Sequence, residues 1–155
     1  MVLMEKPIKD KAEYRFYGAE RASVCPMCQD YPYIENPRDL YDHLSRCWCA
    51  LTCAPRMREK WSEENKTLGQ CSITAFLVQD IFGGQVYGVP LGDGNYHCFN
   101  VVDGIAFDLT SEQFGDVALN YTFDYPQSRQ SHFAKKEKEE RYELLKRLLL
   151  VECSK

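Results

Sequence analysis

The dipeptide Asp103-Gly104 stands between two apolar runs, YHCFNVV (residues 96–102) and IAFDLT (residues 105–110). Asp-Gly in that setting signals a type I′ hairpin, whose two turn residues need positive φ; aspartate tolerates this and glycine adopts it freely. A two-residue turn leaves no choice of register. Val102 must pair with Ile105, position 99 with position 108, and His97 with Thr110. Asp108 then lies diagonally from His97 on the same face, at roughly 7–8 Å, a gap that these two side chains can bridge. The hairpin therefore predicts a His97–Asp108 pair on one sheet face, with Cys98 and Asn100 on the other. A further strand over residues 85–90 precedes it, joined through the turn-rich LGDGN.

Upstream, GQCSITAF (residues 69–76) begins a second constrained segment. After Cys71 the apolar residues Ile73, Phe76, Leu77 and Ile81 fall at helical spacing and stop at Gly83-Gly84. That pattern predicts a helix with Cys71 in its first turn and glycine beyond its end. A helix N-terminus carries about half a positive charge and favours a thiolate over a thiol. Cys71 is thus placed as a nucleophile would be. The other reading is a buried cysteine serving as a small hydrophobe. With a strand histidine and a next-strand aspartate downstream, the order is nucleophile, base and orienting carboxylate.

Composition bounds the rest. The chain has 155 residues, 45% hydrophobic and 27% charged, as expected of one soluble globular domain. A net charge of −4 argues against nucleic acid or an anionic membrane as partner. The first residues, MVLMEKPIKDK, hold lysines but no long apolar core, so a signal peptide is not expected, and no apolar run is long enough to span a membrane. These features point to the cytoplasm. There, eight cysteines call for a reason other than disulfides.

Five of the eight lie between positions 25 and 53. Cys25-Pro-Met-Cys28 forms a knuckle, and His43 and Cys47 follow on a helix expected over residues 37–48, with Asn36 as its cap and Pro37 in its first turn. Four residues apart on a helix, His43 and Cys47 share one face. Cys25, Cys28, His43 and Cys47 make a Cys3His set for structural zinc, in which Cys49 or Cys53 could replace one ligand; scattered free thiols are the alternative. The spacing resembles small C2HC zinc fingers over about 25 residues. Arg38 and Arg46 are offset by Asp39 and Asp42, so this helix presents no basic stripe for a nucleic-acid groove.

The motifs Gly69-Gln70-Cys71, His97-Cys98-Phe99-Asn100 and Asp108-Leu109-Thr110 resemble the transglutaminase-like branch of papain-fold enzymes, and the C-terminal two-thirds resembles the small uncharacterised YunG-like bacterial family. The branch has tryptophan where Phe99 stands and proline where Leu109 stands. The resemblance implies Cys71 as nucleophile, His97 as base and Asp108 as orienter in acyl transfer from an amide, the substrate being an amide-bearing molecule such as a protein or peptide. A small chain without calcium sites or extra β-domains favours a hydrolase over a transamidating enzyme.

The expected architecture is α+β. A papain-like or transglutaminase-like core over about residues 60–132 carries an N-terminal zinc-binding extension over about 14–55 and an amphipathic helix over about 134–151. Gln70 either shapes an oxyanion site or caps the helix, and Trp48 and Trp61 either wall a cleft or fill the core. Cys98 reads as a buried structural thiol and His132 as a surface histidine. The function from another class is a non-catalytic module that keeps the fold and binds a protein through the zinc region.

Overall fold

A computed structural model describes residues 14–155; the lysine-bearing stretch read as lacking a signal peptide lies outside them. The chain is a mixed α+β fold. Helix α1 spans Pro37–Leu44, α2 Cys71–Phe82, α3 Arg129–Phe133 and α4 Lys136–Cys153. Strands β1 (Gln85–Pro90), β2 (Tyr96–Val102) and β3 (Ile105–Phe107) form one antiparallel sheet in that order.

The hairpin register is the one its turn dictates. Val102 pairs with Ile105, Val101 with Ala106 and Asn100 with Phe107. Asp103 and Gly104 take φ of 52° and 77°, the two positive values that a type I′ turn requires. Strand β3 stops at Phe107, short of the expected Thr110, because Asp108 leaves the ladder. Its N–H bonds the Tyr17 carbonyl, and its carboxylate accepts from the Thr110 N–H, turning the chain into a 3-10 helix over Ser111–Phe114.

Helix α2 is buried nearly all round, from Ser72 to Val78 and again at Ile81 and Phe82. A helix apolar on every side belongs in the middle of a domain. The sheet packs on one side of it through Val86, Cys98 and Val102; α4 packs on another through Tyr142, Leu145 and Leu149. Phe76, Leu77 and Ile81 have no exposed surface, and each such side chain contributes about 1.5–3 kcal/mol by leaving water. The opposite sheet face carries a smaller cluster of Val89, Phe99 and Val101 under Leu119 and Tyr121.

The N-terminal segment is laid on this core. Phe16, Ala19, Val24, Tyr31 and Ile34 join the main cluster. Among the described residues, 14–17 form one bridge, Tyr17 to Asp108, since the chain turns at once into a 3-10 helix over Ala19–Arg21. Gly18 permits that turn: its φ is +79°, and a Cβ there would stand 2.3 Å from the Ala106 carbonyl oxygen. Helix α1 starts as expected, Asn36 accepting from the Asp39 N–H at 3.0 Å, but ends at Leu44 rather than Trp48. The Arg46 and Cys47 N–H groups bond carbonyls three residues back, which tightens the chain out of helical geometry. His43 and Cys47 therefore do not share a helix. Neither arginine of this region is free for a groove. Arg38 donates to the Ala19 and Ala22 carbonyls, and Arg46 is held by Glu152.

Candidate active site

Cys71 is the first residue of α2, and no side chain caps that helix start. His97 opens β2, Asp108 follows β3, and both are 1% exposed. Their bond is short: His97 Nε2 lies 2.6 Å from Asp108 Oδ2. Asp108 accepts three further hydrogen bonds, from Tyr121 Oη (2.7 Å) on Oδ2 and from the Thr110 N–H (3.1 Å) and Oγ1 (3.2 Å) on Oδ1. So many donors fix the carboxylate in place, and its acceptance at Oδ2 sets the ring's Nε2–H tautomer. That leaves Nδ1 to face the sulfur. Phe114 stands edge-on to the ring, centroids 4.7 Å apart, and shields the pair.

The electrostatics pair a thiolate with an imidazolium. The hydrogen bond from the Cys98 thiol lowers the Cys71 pKa well below the ordinary thiol value; burial opposes it, and the charge and hydrogen bond of His97 pull the same way. Burial alone would depress His97, but the charges of Asp108 and Cys71 outweigh it and push the ring up to about 10. Cys98 moves the other way, well above the usual value, because its proton is given to Cys71 and its surroundings are dry. The three residues predicted as catalytic are thus drawn together, and one that sequence reasoning set aside joins them. Cys98 faces away from His97 along the strand, as pleating requires, but that face is the one packed on α2, where Cys71 begins.

The partly exposed Cys71 opens into a cleft of about 710 Å³, lined also by His97, Phe114, His132, Lys138 and Arg141. That size accommodates a small molecule or a short peptide segment. His132 is not a surface residue. Its Nε2 lies 2.9 Å from Gln127 Oε1 and its Nδ1 2.9 Å from Lys138 Nζ. Burial first, then the Lys138 charge, depress its pKa to about 4, so the ring is neutral, donating to Gln127 and accepting from Lys138. Gln70 is fully buried and donates through Nε2 to the Cys49 carbonyl at 3.1 Å. Trp61 donates to the Lys66 carbonyl and does not line the cleft, while Trp48 is core, donating to Thr74. Signals for Cys98, Tyr121 and His132 were weak: each depends on how distant segments fold back, and none lies in a periodic or spaced motif.

The zinc ligands are not assembled. Among the described residues no three His, Cys, Asp or Glu side chains are grouped so as to hold a metal ion. A cysteine that binds zinc does so as a thiolate. The buried Cys47 instead donates its S–H to the His43 carbonyl, and burial pushes its pKa up to about 12. Cys25 is exposed, Cys28 half-buried, and His43 Nδ1 is taken up beside Arg46 and Glu152. As arranged, Cys25, Cys28, His43 and Cys47 do not fit the ion, nor does substitution by Cys49 or Cys53 complete a set.

No helix among the described residues is long and apolar enough to cross a membrane. The family model described as YunG protein matches residues 36–154, a span that holds Cys71, His97, Cys98 and Asp108 but not Cys25 or Cys28. A Bacillus subtilis (strain 168) protein described as uncharacterised protein YunG is 39% identical over 74 residues, which cover 48% of this chain and 62% of the relative, less than two thirds of its length. No solved structure matches the chain.

Proposed function

This chain belongs to the YunG family, and on that premise we propose that it is a cysteine-dependent amide hydrolase or acyltransferase working through Cys71, His97 and Asp108. The observation that carries the reading is the 2.6 Å bond from His97 to a fully hydrogen-bonded Asp108, with the Cys71 thiol depressed beside the ring. A core of this kind, a cysteine-bearing helix start set against antiparallel strands that bring histidine and aspartate, accords with a papain-like or transglutaminase-like fold.

In the proposed reaction the Cys71 thiolate attacks an amide carbonyl. The resulting oxyanion is met by the uncapped backbone N–H groups at the start of α2. As the tetrahedral intermediate collapses, His97 gives its Nδ1 proton to the leaving amine, and an acyl thioester remains on Cys71. Water, or a second amine, then attacks the thioester while His97 Nδ1 takes its proton, and the C–S bond breaks, releasing the acid or the new amide and returning the Cys71 thiolate beside the His97 imidazolium. Asp108 holds the ring in register and balances its charge throughout.

The test is alkylation with iodoacetamide at mildly acidic pH, followed by peptide mapping of the eight cysteines, all of them free. Selective labelling of Cys71 that collapses in His97→Ala supports the enzyme. Labelling confined to Cys25 or Cys49, with Cys71 inert, leaves the non-catalytic binding module as the reading.

A further inference from the structure

The cleft beside Cys71 is cationic although the chain carries a net charge of −4. Arg56, Lys135, Lys138 and Arg141 line it against one carboxylate, Glu137. That carboxylate is already engaged: Arg141 Nε donates to Glu137 Oε2 at 2.8 Å, and Arg141 Nη1 to the Thr52 carbonyl at 3.0 Å. Arg56 feels the longer-range attraction of the exposed Asp93. Among the described residues no Asp or Glu forms an ion pair with Arg56, Lys135 or Lys138.

Lys138 is the informative one. It is half-buried, and among the described residues its ammonium hydrogen-bonds the neutral ring of His132 alone. Burial depresses its pKa, and the negative charge of the Cys71–Cys98 sulfur pair acts on it in the opposite direction, which places its ammonium within electrostatic range of the nucleophile. A partly desolvated ammonium without a counter-ion is unfavourable, and a bound anion would relieve it.

We infer that the cleft selects acyl donors that carry a carboxylate of their own, held by Lys138 with Lys135 and Arg56 at the rim while the amide carbonyl reaches Cys71. One of the two guanidinium forks of the lining, Arg141, is already occupied by Glu137 and Thr52. That leaves the Arg56 guanidinium, whose planar fork matches a carboxylate, and the ammonium groups of Lys135 and Lys138. An acidic chain with a local cationic cleft also draws such a substrate to the one place where its charge is welcome. This assignment rests on Cys71 being the nucleophile, and its test separates the two.

Iodoacetate and iodoacetamide deliver the same carbon to a thiolate and differ only in charge. The ratio of their rate constants at Cys71, read by peptide mass mapping, cancels the thiolate fraction and reports the field of the cleft. At low ionic strength the ratio is expected to exceed that of a free cysteine peptide by about tenfold or more. It should decline with added salt and fall several-fold in Lys138→Gln/Arg56→Gln. Lys138→Arg, which keeps the charge, should retain most of it and serves if the double variant fails to fold. A ratio at the peptide's value, or one unmoved by the double variant and by salt while iodoacetamide still labels Cys71 selectively, overturns the carboxylate assignment and leaves the nucleophile standing. Indifference of Cys71 to both reagents overturns both.

Discussion

Replacing Asp108 by asparagine changes one atom of a side chain that is 1% exposed, and the consequence follows from which partners each oxygen has. Oδ1 keeps its bonds from Thr110, so the side chain stays in place. The amide nitrogen then replaces Oδ2, the atom that takes His97 Nε2 and the Tyr121 hydroxyl. A donor there cannot accept from Nε2–H. The ring must turn to the other tautomer, with Nε2 bare and the proton on Nδ1, and forming the imidazolium would set two N–H donors face to face in a dry site. The loss is one hydrogen bond between charged groups, about 1.5–3 kcal/mol. At about 1.4 kcal/mol per pKa unit, that raises the ionisation midpoint of Cys71 by about one to two units. The assay is the second-order rate of iodoacetamide alkylation at Cys71 across the acidic to alkaline range, with circular dichroism as the check on folding. The variant should react about 10–100-fold more slowly at mildly acidic pH and recover as the medium becomes alkaline. A midpoint that stays where it is in the native chain would show that Asp108 does not govern the His97 charge, and the triad would fail with it.

Cys98→Ala removes the hydrogen bond that contributes most to the low Cys71 pKa, so the acid limb of the same alkylation profile should move upward, while Cys71 remains the residue labelled. Stability against pH gives a signed test. His97, raised in the folded state, contributes stability that is complete below its unfolded value of about 6.5 and lost as pH rises towards about 10; Cys71, depressed, contributes stability that grows up to its unfolded value of about 8.5. Between about 6.5 and 8.5 the two slopes cancel, so denaturant titrations should show Cys71→Ser losing up to about 1.4 kcal/mol per pH unit relative to the native chain, the slope His97 keeps where Asp108 alone raises it; parallel curves would show that Asp108 without Cys71 does not raise the ring. Gly18→Ala should lower the melting temperature markedly, since the new methyl meets the Ala106 carbonyl at a φ of +79°, whereas an unchanged melting curve would mean that the N-terminal segment is not laid on β3 as described. Metal analysis should give well below one equivalent of zinc and chelator should leave the melting temperature unchanged; a full equivalent whose removal destabilises the protein would restore the Cys25, Cys28, His43 and Cys47 set.

The parts of the fold legible in the sequence are those fixed by local chemistry. Asp103-Gly104 dictated its own register, from Val102–Ile105 to Asn100–Phe107, because a two-residue turn admits one pairing; the His97–Asp108 contact forms just beyond it, where Asp108 has left the ladder. Ile73, Phe76, Leu77 and Ile81 announced α2, and the asparagine before Pro37 announced α1. The far end of α1 was not legible. Its helical pattern continues to Trp48, yet Ser45 donates back to the Asp42 carbonyl and the chain tightens, so that Trp48 can enter the core beside Thr74. That tertiary contact outweighed local propensity. It also takes His43 and Cys47 off the shared helix face from which the zinc reading started.

The site divides along the same line. Alternation along β2 correctly sends Cys98 and His97 to opposite faces, and from this it was natural to set Cys98 apart from the chemistry. The inference fails at the end of the sheet. Cys71 is the first residue of a helix lying on the Cys98 face, and at the start of β2 the ring of His97 reaches the same sulfur from the other side. A nucleophile placed at a helix start against a strand end is therefore touched by two consecutive strand residues, one as charge partner and one as thiol donor. Opposite faces exclude contact between neighbouring side chains, not contact with a common third group. The pairing has a chemical consequence: the proton that Cys98 lends to the thiolate keeps Cys98 itself neutral, so a single sulfur of the pair is nucleophilic. It is this division of charge between Cys71 and Cys98, with His97 and Asp108 behind it, that the alkylation profiles measure.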